Sequence, residues 1–411
     1  MSADAAAVSA AVADAHRREW AFTLAATVRV TRDLDLAEEC VQDAYARALT
    51  AWRDGIPDRP GAWLTTTARR RALDVLRRDV LFRRAMPELV VDEAESAPDP
   101  ADGFPDDRLR LICTCCHPAL NRDAQVALTL RLVCGLSTAD VARAFLVSEA
   151  TMAARITRAK KKIATARIPY RVPSADDLAP RVEAVLAVVY LIFSTGHTAP
   201  RGSDLVRAEL VERALDLCRM LRALLPEDPD AAGLLALLLL TDARRETRLD
   251  ASGALALLRD QDRSAWDRAA IAEGIALVRE ALRARPAGRY ALQAAIAAVH
   301  AAAPSWDDTD WQEIVGLYDV LLQRWPSPVV ALNRAVAVGF AFGPEHGLAA
   351  LDALGAEPHL AGYGYLAAAR ADFLRRLDRT GEARLAYEEA LLLTENEVER
   401  RFLQQRLVEL A

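Results

Sequence analysis

Apolar residues recur at three- and four-residue spacing from about Ala11 to Arg84 and from about Arg108 to Arg167. From residue 178 to the end, helix follows helix with short Pro/Gly loops between them. The sharpest pattern lies in Cys134–Ile163, which predicts helix, tight turn, helix. Ser137 is placed to cap the first of these helices, and Asp140 falls in its first turn, where the helix dipole favours an anion. Val141, Ala142 and Phe145 then recur at core spacing. Ser148 is placed to cap the second helix, with Glu149 in its first turn. Met152, Ile156, Ala159 and Ile163 form one apolar stripe, and Arg155, Arg158, Lys160, Lys161 and Lys162 crowd the other face. Such a helix can lie in a major groove, its N-terminal residues on base edges and its basic end on phosphates.

Two earlier helices are amphipathic. Over Asp33–Trp52, Leu36, Cys40, Tyr45 and Leu49 suit a core, while Glu38, Glu39, Gln42 and Asp43 are expected to face outward as an acidic-polar patch. The turn-forming stretch Asp54–Gly61 leads into Pro60–Arg78, where Trp63, Leu64, Ala68, Leu73 and Leu76 give an apolar face. Arg69, Arg70, Arg71, Arg77 and Arg78 make a basic ridge, extended by Arg83 and Arg84. Asp74 sits four residues from both Arg70 and Arg78 and is expected to pair with them. Residues 85–107 hold eight acidic residues, no basic ones and four prolines, the composition of a solvated linker. The expected fold is all-α, with a helical bundle over 1–85, an acidic linker over 86–107 and a helix-turn-helix domain over 108–167. A second linker over 168–177 then leads to a helical domain over 178–411. In that last part Leu332, Ala335, Ala337, Gly347, Ala349 and Leu351 recur 34 positions later as Leu366, Ala369, Ala371, Gly381, Ala383 and Leu385. A period of 34 with small residues where paired helices meet resembles tetratricopeptide (TPR) repeats, although Thr394 and Glu395 stand where a proline usually follows.

Charge divides the chain. Residues 1–170 carry 25 basic and 23 acidic side chains, a net of +2, whereas residues 172–411 carry 26 and 35, a net of −9. A front half with basic clusters and an acidic back half suggest a nucleic-acid end and a protein-contact or regulatory end. Six cysteines in a chain of 411 residues do not make a secreted disulfide framework. The N-terminus lacks the basic start of a signal peptide, and apolar runs such as Ala231–Leu240 are about half the length that spans a bilayer. A cytoplasmic protein with no membrane contact is expected. Cys113, Cys115, Cys116 and His117 have soft-ligand character, but adjacent Cys115 and Cys116 cannot easily share one tetrahedral site. Buried core thiols are the preferred reading, and no metal or cofactor is expected. No nucleophile–base–acid set, Gly-rich phosphate loop or paired-carboxylate site emerges, so the chain does not read as an enzyme.

In residues 10–165 the chain resembles the extracytoplasmic-function (group 4) sigma factors of bacterial RNA polymerase. AEECVQDAY (residues 37–45) is similar to the family's region 2 signature, PGAWLTTTARRRALDVLRR (residues 60–78) to the pattern that follows it, and residues 134–163 to region 4. The helical extension resembles that of the subgroup with a C-terminal TPR-like domain, as do the segments Tyr190–His197 and Thr241–Arg245, where His197 could contact a ligand. The resemblance implies a sigma factor that binds core polymerase (β′ clamp helices and β flap) and directs it to promoter DNA. Glu38, Glu39, Gln42 and Asp43 would meet the clamp helices. Trp63 and the loop Asp54–Gly61 would help capture a base flipped from the −10 element, with Arg69, Arg70, Arg71, Arg77 and Arg78 on the backbone. Ser148, Thr151, Arg155 and Arg158 would address the −35 element, with Lys160 and Lys161 on phosphates. Ala153 and Ala154 stand where many members carry polar residues, which thins direct base reading. The C-terminal domain would regulate or brace the factor and could take a protein or small-ligand partner. The alternatives are a helix-turn-helix activator with a helical sensor domain, and a metal- or thiol-responsive regulator sensing through Cys113–Leu120.

Overall fold

Asp33 ends one helix and starts the next: its carboxylate accepts hydrogen bonds from the backbone N–H groups of Asp35 (2.7 Å) and Leu36 (2.9 Å). It separates α1 (Ala5–Thr31) from α2 (Leu34–Ala51), and α3 (Pro60–Ala85) closes a three-helix bundle with them. The computed structural model describes residues 5–85, 107–145, 147–171 and 175–410, with the side chains of 79–85, 144 and 175–179 left undescribed. The acidic stretch 86–106 and the side chains of Arg83 and Arg84 therefore lie outside the described residues, as does 172–174 of the second linker. The chain divides into two compact units, Met1–Val189 and Tyr190–Ala411.

In the first unit, α4 (Asp107–Cys115), α5 (Arg122–Leu128), α6 (Thr138–Ala144) and α7 (Glu149–Thr165) follow the bundle, and α8 (Ala175–His197) begins before the boundary. Ser137 caps α6 in a reciprocal box with Asp140, and Ser148 caps α7, as the sequence pattern predicts. Met152, Ile156, Ala159 and Ile163 are all buried. Two core expectations fail: Leu49 is 45% and Leu73 42% exposed. The buried positions are mostly small residues instead, Ala37, Ala44 and Ala48 on α2 and Ala68 and Ala72 on α3, with Val41 and Leu64 among them, and such alanines let helix axes approach closely. Asp107, which composition places at the linker's end, opens α4 as a buried residue paired with Arg110 and 3.6 Å from Arg29.

The second unit comprises α9 (Ala208–Leu224), α10 (Pro229–Asp242), α11 (Arg268–Ala281), α12 (Arg289–Ala302), α13 (Trp311–Arg324), α14 (Pro328–Phe342), α15 (Pro344–Asp352), α16 (Gly364–Arg376), α17 (Thr380–Leu393) and α18 (Glu397–Glu409). The apolar run Ala231–Leu240 is buried on every side, because α10 packs against α9, α11 and α12. No helix among the described residues is long and apolar enough to cross a membrane. The 34-residue period falls on two antiparallel pairs, α14 with α15 and α16 with α17. After α17 the chain does not turn on a proline. Glu395–Asn396 instead pairs in parallel with Arg201–Gly202 as a two-residue ladder.

Gly347 and Gly381 occupy equivalent places in the repeat but different surroundings. A Cβ on Gly347 would lie 2.6 Å from Gly339 Cα and 2.5 Å from the Phe373 ring, whereas one on Gly381 meets open space. Gly347→Ala is expected to destabilise the protein by about 1–3 kcal/mol, through overpacking. Gly381→Ala should stabilise it by up to about 1 kcal/mol, by removing glycine's helix penalty. Urea unfolding of both variants checks the pair, and equal signs would refute the packing account.

Candidate nucleic-acid and polymerase interface

The acidic patch expected on α2 is not uniformly outward. Glu39 and Gln42 are exposed and Asp43 is half-buried, but Glu38 is only 6% exposed. Its carboxylate accepts from Lys160 Nζ at 2.8 Å and Gln42 Nε2 at 3.3 Å, and it forms an ion pair with Arg131. Lys160 Nζ also bonds Asp35 at 2.6 Å. Burial disfavours the Lys160 charge, but its hydrogen bonds to Asp35 and Glu38 prevail and its pKa is raised. The reason for the correction is tertiary. α7 and the turn before α6 come to lie on α2, and a carboxylate covered in this way persists only when cations and hydrogen bonds replace its water.

Arg131 was not evident as a site residue. The signal was its place as the lone charge in the apolar run Val126–Val133. The structure gives that run a wide π-helical turn over Thr129–Val133, such as often marks functional positions. Arg131 Nη1 also donates to the Leu136 carbonyl at 2.9 Å. Neutral hydrogen bonds join the same surfaces: Trp20 Nε1 to the Leu132 carbonyl (3.0 Å) and Tyr170 OH to the Ala25 carbonyl (2.9 Å).

On α3, Arg71 is paired with Asp43 at 3.0 Å. Among the described residues Arg69, Arg70, Arg77 and Arg78 have no ion-pair partner, and Asp74 does not make the expected pairs with Arg70 and Arg78. Beside this ridge Trp63, half-buried, meets Trp52 edge-on with centroids 5.7 Å apart. Trp52 is 1% exposed and its Nε1 has no hydrogen-bond partner. On α7, Ser148, Thr151, Arg158 and Lys161 are exposed, whereas Arg155 lies 3.6 Å from Asp123 and Lys160 is taken up by α2. The expected −35 face is therefore split between free and engaged cations.

Cys113, Cys115 and Cys116 are buried at 0–1% exposure. No group of three or more potential metal ligands occurs among the described residues. Burial, first of all, pushes the Cys113 thiol up to about 12 and Cys116 up to about 11, and raises Cys115 well above its ordinary value. His117 Nδ1 accepts from the Ala119 N–H at 3.1 Å, holding the turn before α5.

Residues 15–80 match the family model of sigma-70 region 2 and residues 111–163 that of sigma-70 region 4, while residues 181–282 match a family of unknown function, DUF6596. The two sigma-70 regions in this order define a transcription factor of the sigma type, built to act with RNA polymerase on promoter DNA. Within that class, the chain belongs to the same family as the uncharacterised protein R00370 of Rhizobium meliloti (strain 1021). The two are 45% identical over 395 residues, spanning 94% of this chain and 93% of the other. It is also similar to the probable ECF RNA polymerase sigma factor SigI of Mycobacterium tuberculosis, in strains CDC 1551 / Oshkosh and H37Rv. That likeness is 29% identity over 171 residues, 40% of this chain and 58% of the other.

With thiol pKa values of about 12 and about 11, Cys113 and Cys116 hold well under 1% thiolate at pH 8, and burial holds the Cys115 thiol well above its ordinary value as well. The native protein is expected to leave all three unmodified by a thiol reagent at pH 8 until it unfolds. Rapid modification in the folded state would favour the thiol-sensor alternative.

Proposed function

We propose that the chain is a sigma factor of the extracytoplasmic-function type. It binds core polymerase through the α2 face of Glu38, Glu39, Gln42 and Asp43. It captures the −10 element with Trp63, the Asp54–Gly61 loop and the α3 arginines, and addresses the −35 element with Ser148, Thr151, Arg155, Arg158, Lys160 and Lys161. The unpaired ridge Arg69, Arg70, Arg77 and Arg78 supports the backbone-holding role. The buried indole N–H of Trp52, lacking an acceptor beside Trp63, suits a site that takes up a polar group such as an extruded base.

The observation that carries the reading is that Glu38, on the expected polymerase face, is bonded to Lys160, on the expected −35 helix. Elements named −35 and −10 lie roughly 25 base pairs apart, about 85 Å of duplex at about 3.4 Å per step. Two DNA readers joined by a 2.8 Å ion pair do not span that distance. The arrangement therefore corresponds to the free factor, and polymerase binding has to separate Glu38 from Lys160 and Arg131, exposing both interfaces at once.

Promoter-dependent run-off transcription with core polymerase tests the assignment. Replacing Arg69, Arg70, Arg77 and Arg78 with alanine should lower product at least about tenfold, because each lost phosphate contact weakens DNA binding. Full activity in a folded variant would overturn the ridge's role. Arg131→Gln leaves Glu38 short of a partner and should favour the open form, tightening core polymerase binding about tenfold, or about 1.4 kcal/mol. An unchanged affinity would count against a closed free state.

The acidic C-terminal part either restrains or braces the factor. Truncation after Val189 keeps the part of α8 that belongs to the first unit, where Arg181 Nη1 donates to the Cys113 carbonyl and Arg122 Nη1 to the Ala184 carbonyl. Higher run-off activity of this truncation indicates restraint and lower activity bracing, whereas unchanged activity would sink both.

A further inference from the structure

Promoter reading leaves two segments unused, Tyr190–His197 and Thr241–Arg245, and in the second unit they meet around a group of basic side chains. Arg248 Nη1 lies 3.2 Å from His197 Nδ1 and also bonds the His197 carbonyl, while Nη2 donates to Thr198 Oγ1 at 3.0 Å. A guanidinium only donates, so the Nδ1 facing it is the accepting nitrogen and the ring proton sits on Nε2. His197 is 7% exposed and its Nε2 makes no close hydrogen bond, the Thr241 backbone offering the ring only a weak one. On α12, His300 Nδ1 is likewise buried without a partner, while the His300 carbonyl accepts from Arg263 Nη1 at 2.7 Å. Phe193 stacks on the first imidazole at 5.4 Å and Trp311 meets the second edge-on at 5.2 Å.

Arg244 acts electrostatically on both rings. His197 is pushed down to about 2, by burial first and then by Arg248 and Arg244, and His300 to about 4, by burial and then by Arg244 and Arg263. The two adjacent arginines differ sharply. Arg245 donates to both Asp242 oxygens at 2.7 and 2.6 Å and lies 3.7 Å from Glu212. Among the described residues the Arg244 side chain has no ion pair or hydrogen bond. Its pKa falls to about 10, by burial first and by the Arg248 charge second, with no acid opposing either. Arg248 has Glu399 and Asp242 acting on it, and Arg263 has Asp308. A half-buried guanidinium without a counter-charge is costly, as are two buried imidazole nitrogens without close partners. An anion placed among them would relieve all three.

We propose that Arg244, His197 Nε2 and His300 Nδ1 form a binding site for the oxyanion of a small molecule, a carboxylate or a phosphate. The guanidinium offers charge and paired donors, and the Nε2–H of His197 supplies a further donor. His300 Nδ1 joins them when its ring carries the proton there, and the Phe193 and Trp311 rings shield the imidazoles from water. His197, Arg244, Arg248 and Arg263 all fall within residues 181–282, the stretch that matches the family of unknown function. The site stands independently of the promoter reading.

Thermal unfolding of the full chain in sodium phosphate, sodium acetate or sodium chloride at matched ionic strength tests it. Phosphate or acetate should raise the Tm by about 2–5 °C over chloride, as expected for millimolar binding to a domain of this size. A rise with phosphate alone points to a phosphorylated ligand, and one with acetate alone to a carboxylate. Arg244→Gln should abolish the rise and leave the Tm in chloride unchanged or higher, because it removes a half-buried charge that has no counter-charge. Arg245→Gln should lower the Tm yet keep the rise. If Arg244→Gln does not fold, His300→Gln should also blunt the rise. In NMR titrations the His197 and His300 pKa values should move up when the effective anion is added. No rise over chloride with either anion, or a full rise retained in folded Arg244→Gln, would overturn the proposal.

Discussion

A carboxylate withdrawn from water has to be met by cations, and in the first unit that requirement falls on Glu38. Lys160 and Arg131 reach it from positions far along the chain, and Gln42 completes its hydrogen bonding. The net stabilisation of such a cluster is small, because removing three charges from water offsets most of their attraction. Its strength lies in selectivity. Any displacement of α7 from α2 leaves a buried charge short of a partner, so partial separation is disfavoured while full separation into water, or onto another charged surface, costs little. The neutral bonds from Trp20 and Tyr170 add about 1 kcal/mol each to the same arrangement. A contact of this kind suits a protein that must hold two binding surfaces together and later release them.

The helices were legible where local chemistry decides. Ser137, Ser148 and Asp33 start helices through their own oxygens, and the stripe Met152, Ile156, Ala159 and Ile163 needs only the period of the helix. The misplacements arise where a distant segment decides. Periodicity assigns Glu38 to a polar face because it sees only α2, and the cations that cover it lie 93 and 122 positions on. Helical spacing puts Leu49 and Leu73 on the apolar faces, whereas Ala48 and Ala72 beside them are the buried positions, and which of two adjacent apolar positions faces inward depends on the partner helix. Asp74 had arginines at ideal helical spacing and pairs with neither, a reminder that exposed intrahelical pairs are weakly held. The sigma-70 matches over 15–80 and 111–163 fall on the stretches whose motifs were recognised.

In the second unit composition promised helices but not their surroundings. The run Ala231–Leu240 has no polar face, and only the packing of α9, α11 and α12 explains why none is needed. Gly233 belongs to that arrangement, since a Cβ there would lie 2.8 Å from the Ala291 backbone nitrogen of α12. The pair Arg244 and Arg245 shows the limit of reading charge from sequence. Two identical side chains in adjacent positions end up one saturated by acids and one without any.

Asn396 closes the second unit in a way its repeats do not require. Its side-chain N–H groups reach the carbonyls of Ala199 and Asp204, 197 and 192 positions earlier, while its oxygen receives the N–H groups of Val398 and Glu399 at the start of α18. An open stack of helical repeats can fray from either end, because each repeat touches only its neighbours. Here one fully buried amide ties the start of α18 to the segment that precedes α9. Loosening α18 would therefore leave two carbonyls near α9 without their donor, so the two distant segments are coupled through one side chain.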